Sequence, residues 1–224
     1  MVDSWRVRPY CPSDRSAVFQ LCGDTAFFGD PLERFFDARE LFLDTFASYY
    51  TDLAGDHLWV VAGDQGEIFG YLMGCTDTFA YSNWFRRHLR RIMWRVITLH
   101  YRGWLTRKTI GYTWRYIQVR VPYVDLSPYP AHFHIAIRSG WRGQGMGAAL
   151  MQTYLDQLRN ENIPGVHLET TSENRIAVPW YERLGFRLLQ SVPSDLYQAS
   201  LGHSVDLLMY GMRLSLPAIM VDQV

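Results

Sequence analysis

Apolar positions along this chain switch between a period of two and a period near 3.6, and the switching lays out the elements. Trp5-Arg-Val-Arg-Pro9 alternates and predicts a strand stopped by Pro9 and Pro12. Ser13 and Asp14 predict the start of a helix that runs to Thr25. A second helix is expected from Pro31, suited to a first turn, to Tyr50, with Phe35, Ala38, Phe42, Phe46 and Tyr49 on one face. Leu58–Ala62 and Ile68–Met73 read as strands joined through Gly63-Asp-Gln-Gly66, a hairpin signal. Residues 77–128 look inserted. Within them Phe85, Leu89, Ile92, Met93, Val96 and Leu99 line one helical face, with Arg87, Arg90, Arg91 and Arg95 opposite.

From Ala131 the pattern is dense. It predicts a strand over 132–137, a glycine loop, a helix over 145–160, a turn at Pro164-Gly165 and a strand over 166–170. A helix over 174–184 follows, closed by Gly185, then strands over 186–192 and 204–214. The order predicts a mixed α/β (α+β) fold. It is expected to be a single domain over 1–224, with helices flanking a central sheet and a basic helical insertion at 77–128.

Composition narrows the class. An apolar fraction of 48% with 15% aromatics excludes disorder for most of the chain. Cys11, Cys22 and Cys75 are odd in number and widely spaced, which predicts reduced thiols and no metal site. Met1-Val-Asp-Ser-Trp-Arg6 has no apolar signal core, and no run of about 18 apolar residues is present to span a bilayer, so a cytoplasmic protein is expected.

Net charge is zero, but it is segregated. Residues 81–120 hold ten Lys or Arg and no Asp or Glu, whereas residues 24–67 hold ten acids against Arg34 and Arg39. The basic segment has three candidate uses: binding nucleic acid or an anionic membrane, covering a phosphate-bearing cofactor, or docking on the acidic region of the same or a second subunit, the last giving a homodimer. An acidic partner surface within the chain favours the last two, so nucleic acid and membrane are not expected here.

The most informative stretch is Arg142-Gly-Gln-Gly-Met-Gly147, between an apolar strand and an amphipathic helix. Glycines at alternate positions let the backbone approach a bulky ligand and aim several amides together, and the helix N-terminus adds partial positive charge. A phosphate or pyrophosphate site is predicted. A nucleotide P-loop is excluded, because no Gly-Lys-Ser/Thr occurs. A Rossmann fingerprint is matched by Gly143, Gly145 and Ala148, with Glu169 ending a later strand. However, Arg-Ser-Gly-Trp separates the first strand from the glycines, and too little chain follows Glu169 to finish such a sheet.

Arg142-x-x-Gly145-x-Gly147 resembles the acetyl-CoA signature of the GNAT superfamily of N-acetyltransferases, Arg/Gln-x-x-Gly-x-Gly/Ala. Asn174 after the next strand and Trp180-Tyr181-Glu-Arg-Leu-Gly-Phe186 resemble further family segments, and the element order is similar as well. More narrowly, Tyr129-Pro-Ala-His-Phe-His134, Gly165-Val-His-Leu168 and Gly70-Tyr-Leu-Met-Gly-Cys75 resemble the acetyltransferase-like domain attached to O-GlcNAc hydrolases and its stand-alone bacterial relatives.

The resemblance implies a mixed, splayed central sheet and transfer of an acetyl group from acetyl-CoA to a small-molecule or protein amine in a ternary complex. It implies that backbone amides of Arg142, Gly143, Gln144, Gly145, Met146, Gly147 and Ala148 hold the CoA pyrophosphate. Ile135, Ala136 and Ile137 lend backbone groups to the pantetheine arm. Tyr181 matches the family's general acid, and a phenol keeps a proton to donate near neutral pH. Asn174 resembles a pantetheine-contacting asparagine, and an N-cap role fits it equally. For the general base Glu169 stands first, then Asp125, His132 and His134. The alternative is a catalytically silent binding module with the same fold.

Overall fold

The computed structural model describes residues 4–215. Met1–Asp3, with the reading of a missing signal core, and the far end of the 1–224 span lie outside the described residues. The strands are β1 (Trp5–Pro9), β2 (Leu58–Gly63), β3 (Ile68–Cys75), β4 (Ala131–Ile137), β5 (Gly165–Thr171), β6 (Arg187–Ser194) and β7 (Val205–Arg213). They form one sheet in the order β1-β2-β3-β4-β5-β7-β6, the mixed α/β arrangement that the element order predicts.

Every neighbouring pair is antiparallel except β4 and β5. Those two are parallel and meet only at Ala131↔Val166 and His132↔His167. On its other side β4 stays paired with β3 as far as Gly70↔Ile137, and β5 follows β7 from Gly165↔Arg213 to Thr171↔Leu207. Each strand is thus held by its outer neighbour, and a gap opens between them beyond His132. Tyr154 anchors the root of the gap, its buried hydroxyl 3.1 Å from the Cys75 carbonyl and 3.0 Å from that of His132.

Two layers cover the sheet. On one face α6 (Met146–Asn160) buries Met146, Leu150, Tyr154 and Leu158 at helical spacing, and α7 (Ala177–Arg183) adds Tyr181. On the other, α1 (Arg15–Thr25) and the segment after it pack Val18, Leu21 and Tyr50 over Val60, Tyr71 and Met73.

Residues 31–50 do not form the single helix expected of them. Leu32–Arg34 is one tight turn, Ala38 takes φ −91 and ψ 71, and two short helices follow, α2 (Arg39–Phe46) and α3 (Ser48–Asp52). Phe35, Phe36 and Ala38 turn inward with Phe27 and Leu32 as a separate aromatic cluster. Tertiary burial of adjacent rings outweighs the helical period here.

The insertion holds α4 (Thr78–Ile97) and α5 (Arg107–Gln118). The Asp77 carboxylate caps α4 by accepting from the Phe79 and Ala80 amides, and the Thr106 hydroxyl caps α5 by accepting from the Thr109 amide. The apolar face expected for α4 is not a core face. Ile92 is buried, whereas Leu89, Met93 and Leu99 are exposed. Polar contacts do much of the fastening: Asp44 on α2 pairs with Arg95 and accepts from the Tyr101 hydroxyl at 2.8 Å, and Asp37 pairs with Lys108 at 2.7 Å. Two of the ten basic residues, Arg95 and Lys108, thus pair with the acidic segment within the same chain.

Candidate active site

The glycine loop leaves β4 and opens α6. Gly143 and Gly145 adopt φ +78 and +83, a backbone region favoured by glycine, and a Cβ on either would meet nothing within 4 Å. The loop is therefore shaped by conformational need, and the space over it is open. Trp141 bonds its amide to the Arg138 carbonyl and stacks on Phe69 at 3.8 Å, which fixes the start of the loop. At the far end the Ala149 amide makes the first bond of α6, to Gly145. Between these two, the amides of residues 142–148 make no hydrogen bond of good geometry among the described residues, that of Gln144 only turning back toward the Trp141 carbonyl. Those of the first helical turn have none by helix geometry, and carry the positive end of the helix dipole. An anion seated there would satisfy several donors at once.

The Arg142 side chain does not turn over this cradle. Its guanidinium donates to the Ile137 carbonyl at 3.3 Å and the Gly29 carbonyl at 3.4 Å, pinning the loop to the α1–α2 connection. Ile135, Ala136 and Ile137 line the β4 side of the gap, where pairing with β5 has ended. The loop follows directly on these strand residues, unpaired with β5, and opens α6.

Strand alternation sorts the remaining candidates. His132 and His134 share one sheet face, and His167 on β5 joins them, its ring 5.5 Å from that of His132. Glu169, two residues past His167, lies on that same face beyond the last β4–β5 pair. Tyr181 sits on the opposite face among Phe133 and Phe186. The carboxylate and the phenol thus flank the gap from its two sides. Burial drives the Tyr181 pKa well above the ordinary phenol value, so its hydroxyl is protonated at any working pH.

Glu169 is open to solvent by area, yet desolvation raises its pKa above the usual carboxylate value. Both statements hold for a group that water reaches while protein lies around it. Tyr81 of α4 and Tyr116 of α5 have phenol pKa values raised by burial first and then in part by the Glu169 charge, so both lie within range of that carboxylate, Tyr116 being itself 56% exposed. Tyr116 in turn stacks near Tyr112 at 6.2 Å, and Tyr112 lies 5.8 Å from Tyr197. Thr171, next on the Glu169 face, buries a hydroxyl that has no partner among the described residues.

The other candidate bases separate clearly. Asp125 is an exposed turn residue whose carboxylate accepts from the Ser127 amide at 2.9 Å, and hydrogen bonds from Ser127 lower its pKa. His132 uses both ring nitrogens, on Tyr50 at 2.8 Å and Thr78 at 2.6 Å, and is structural. His134 packs on Phe46 at 4.3 Å, and burial lowers its pKa to about 4. Asn174 is not an N-cap. The first turn of α7 starts at Ala177 with Ile176 before it, and the Asn174 side chain donates to Thr170 at 3.3 Å. No helix among the described residues is long and apolar enough to cross a membrane.

Comparison with known proteins agrees with this geometry. The model of the acetyltransferase (GNAT) family matches residues 25–186. Mycothiol acetyltransferase of Nocardiopsis dassonvillei is 36% identical over 64 residues, 29% of this chain and 19% of that protein. N-alpha-acetyltransferase 30 of Schizosaccharomyces pombe is 42% identical over 52 residues, 23% of this chain and 35% of that protein. The similarity thus spans only a minor part of either relative. The crystal structure of SsHAT superposes with a TM-score of 0.65 at 27% identity, over 95% of this chain and 99% of that one. yncA of Salmonella typhimurium, solved with its cofactor acetyl-CoA, superposes with a TM-score of 0.56 at 13% identity, over 96% of each chain. The parted strands, the open glycine loop and the matched family model lead to one statement: this chain belongs to the GNAT acetyltransferase family.

Proposed function

We propose that this chain transfers an acetyl group from acetyl-CoA directly to a primary amine, with both bound at once. The observation that carries the reading is the run of free amides at 142–148, which opens into the gap between β4 and β5. Amides of Arg142, Gly143, Gln144, Gly145, Met146, Gly147 and Ala148 would hold the diphosphate, Ile135–Ile137 would offer backbone groups along the arm, and Asn174 would add a side-chain amide. Bound acetyl-CoA supplies a thioester carbonyl, at which a C–N bond forms as the C–S bond breaks.

The protein's part is proton management. Glu169 takes the ammonium proton, directly or through water, and its raised pKa makes it a stronger base than an ordinary carboxylate. The Tyr181 hydroxyl, held protonated by burial, gives its proton to the departing sulfur. Tyr81 and Tyr116 wall the acceptor side and suit a cationic amine facing Glu169. The free Cys11, Cys22 and Cys75 fit a reducing, cytoplasmic setting. The narrower kinship, with the domains attached to O-GlcNAc hydrolases, belongs to the same proposal and rests on the segments around His132, Gly165 and Gly70.

Calorimetric titration with acetyl-CoA, followed by thiol release over a panel of amines, tests the reading. Acetyl-CoA should bind, at least one amine should release thiol, and Tyr181→Phe should cut turnover by about 10²-fold. Absence of binding overturns the proposal, and binding without release by any amine makes the chain a silent module.

A further inference from the structure

Sequence alone favoured spending the basic segment on contacts inside the protein, and the structure spends little of it there. Residues 78–124 contain no Asp or Glu, and of their ten Lys and Arg only Arg95 and Lys108 form ion pairs among the described residues. Of the other eight, all but Arg115 are exposed. On α4, Arg86, Leu89, Arg90, Met93, Trp94 and Ile97 recur three and four apart and line one open groove of about 390 Å³. The first half of that stripe is cationic and the second apolar, with Trp94 and Ile97 each 67% exposed. Helix α5 repeats the pattern, with Trp114 65% and Ile117 72% exposed. Large side chains left in water on successive turns mark a surface that meets something.

Its chemistry selects the partner. A second copy of this chain would set arginine against arginine. A nucleic acid would meet the guanidinium groups and flat rings but leave Ile97, Leu99, Ile110 and Ile117 in water. An anionic bilayer takes both halves: headgroup phosphates and carboxylates face the arginines, and the acyl boundary receives the tryptophan and aliphatic groups. Complete absence of acid over 47 residues removes the repulsion such a surface would otherwise impose. With no helix able to span, contact is in the plane of the interface. We propose that the outer face of α4, from Arg86 to Ile97, docks this protein on anionic lipid bilayers.

Co-sedimentation of the full chain with vesicles tests this, using phosphatidylcholine alone against phosphatidylcholine mixed with phosphatidylserine. Retention should require phosphatidylserine and weaken as ionic strength rises. Arg86→Gln with Arg90→Gln should lower partitioning about 25-fold, two surface charges each contributing about fivefold. Trp94→Ser with Ile97→Ser should lower it as well and leave the salt dependence in place. All four side chains are exposed, so far-ultraviolet circular dichroism should match the parent. The proposal is overturned if vesicles fail to retain the protein, if phosphatidylcholine alone retains it equally, or if both double variants bind like the parent. It is equally overturned if the face proves to serve another partner, shown by tighter retention on duplex DNA, or by self-association that Trp94→Ser with Ile97→Ser abolishes.

Discussion

Glu169 shows how one residue's role follows from strand arithmetic. The pairing His132↔His167 is the last across β4 and β5, so two residues on, His134 and Glu169 face each other's strand with no backbone bond between them. Of the two, only the carboxylate has its pKa moved toward neutrality. Desolvation raises the one and lowers the other, because burial disfavours whichever form is charged. If Glu169 is the base, kcat/KM should rise with pH through a value above that of a free carboxylate. Glu169→Gln should lower kcat/KM about 10²-fold and remove that limb. A limb that survives the substitution, measured over pH 4 to 9 with parallel checks of folding, assigns the base to another group.

At the scale of elements, Asp44 is the hinge pin of the insertion. It sits on α2, yet it receives Arg95 from α4 and Tyr101 from the turn beyond, while the His88 ring meets its backbone carbonyl at 3.1 Å. Bonds to a charged, half-buried acceptor are each worth about 1.5–3 kcal/mol. Asp44→Ala should therefore loosen α4 locally, read as faster amide exchange over 85–101 with β3 and β4 unchanged. Equal protection in parent and variant would show that Ile92 and Tyr101 hold the helix by burial alone. This contact also shows where sequence stops informing. From Ala131 to Leu214 the expected elements match those found to within a few residues, because glycines and alternation punctuate them and each strand pairs with a near neighbour. The same local grammar found the glycine loop and the strand end that carries Glu169, whereas Tyr181 was singled out by the family resemblance of its segment. It failed over 31–50, where Phe35 and Phe36 pack inward against the helical period, and over α4, whose apolar stripe has the spacing of a core face but leaves Leu89, Met93 and Leu99 in water. Tyr81 and Tyr116 were illegible as site residues for the same reason: nothing local encodes where an insertion folds back.

Across the whole molecule, the gap between β4 and β5 is framed by imidazoles that burial keeps neutral. His132, His134 and His167 occupy one sheet face, with ring centroids 6.2 Å apart for the first two and 5.5 Å for the first and third. Burial lowers the pKa of all three, that of His134 to about 4, and the other imidazoles nearby deepen the shift for His132 and His134. An unfolded chain would protonate these rings near 6.5, so as pH falls from there toward 4 the unfolded state binds protons the folded state refuses. Stability is thus complete above about 6.5 and declines below it, by up to about 1.4 kcal/mol per pH unit for each imidazole involved. Glu169 works the other way, since a raised carboxylate pKa favours the folded state as it takes up a proton, but it is one group against three. Asp14, held at about 2 by hydrogen bonds from Arg8, adds to the loss only below about 4, the free carboxylate range. Urea midpoints should therefore fall between pH 7 and pH 5, before any carboxylate pair breaks. His134→Phe, which removes one titrating ring from the layer, should make the decline shallower. A midpoint that is flat over that range would show that the imidazoles titrate freely in the fold. The same measurement guards the kinetic test of Glu169, because an acid loss of rate that tracks the urea midpoint belongs to the sheet, and one that precedes it belongs to the base.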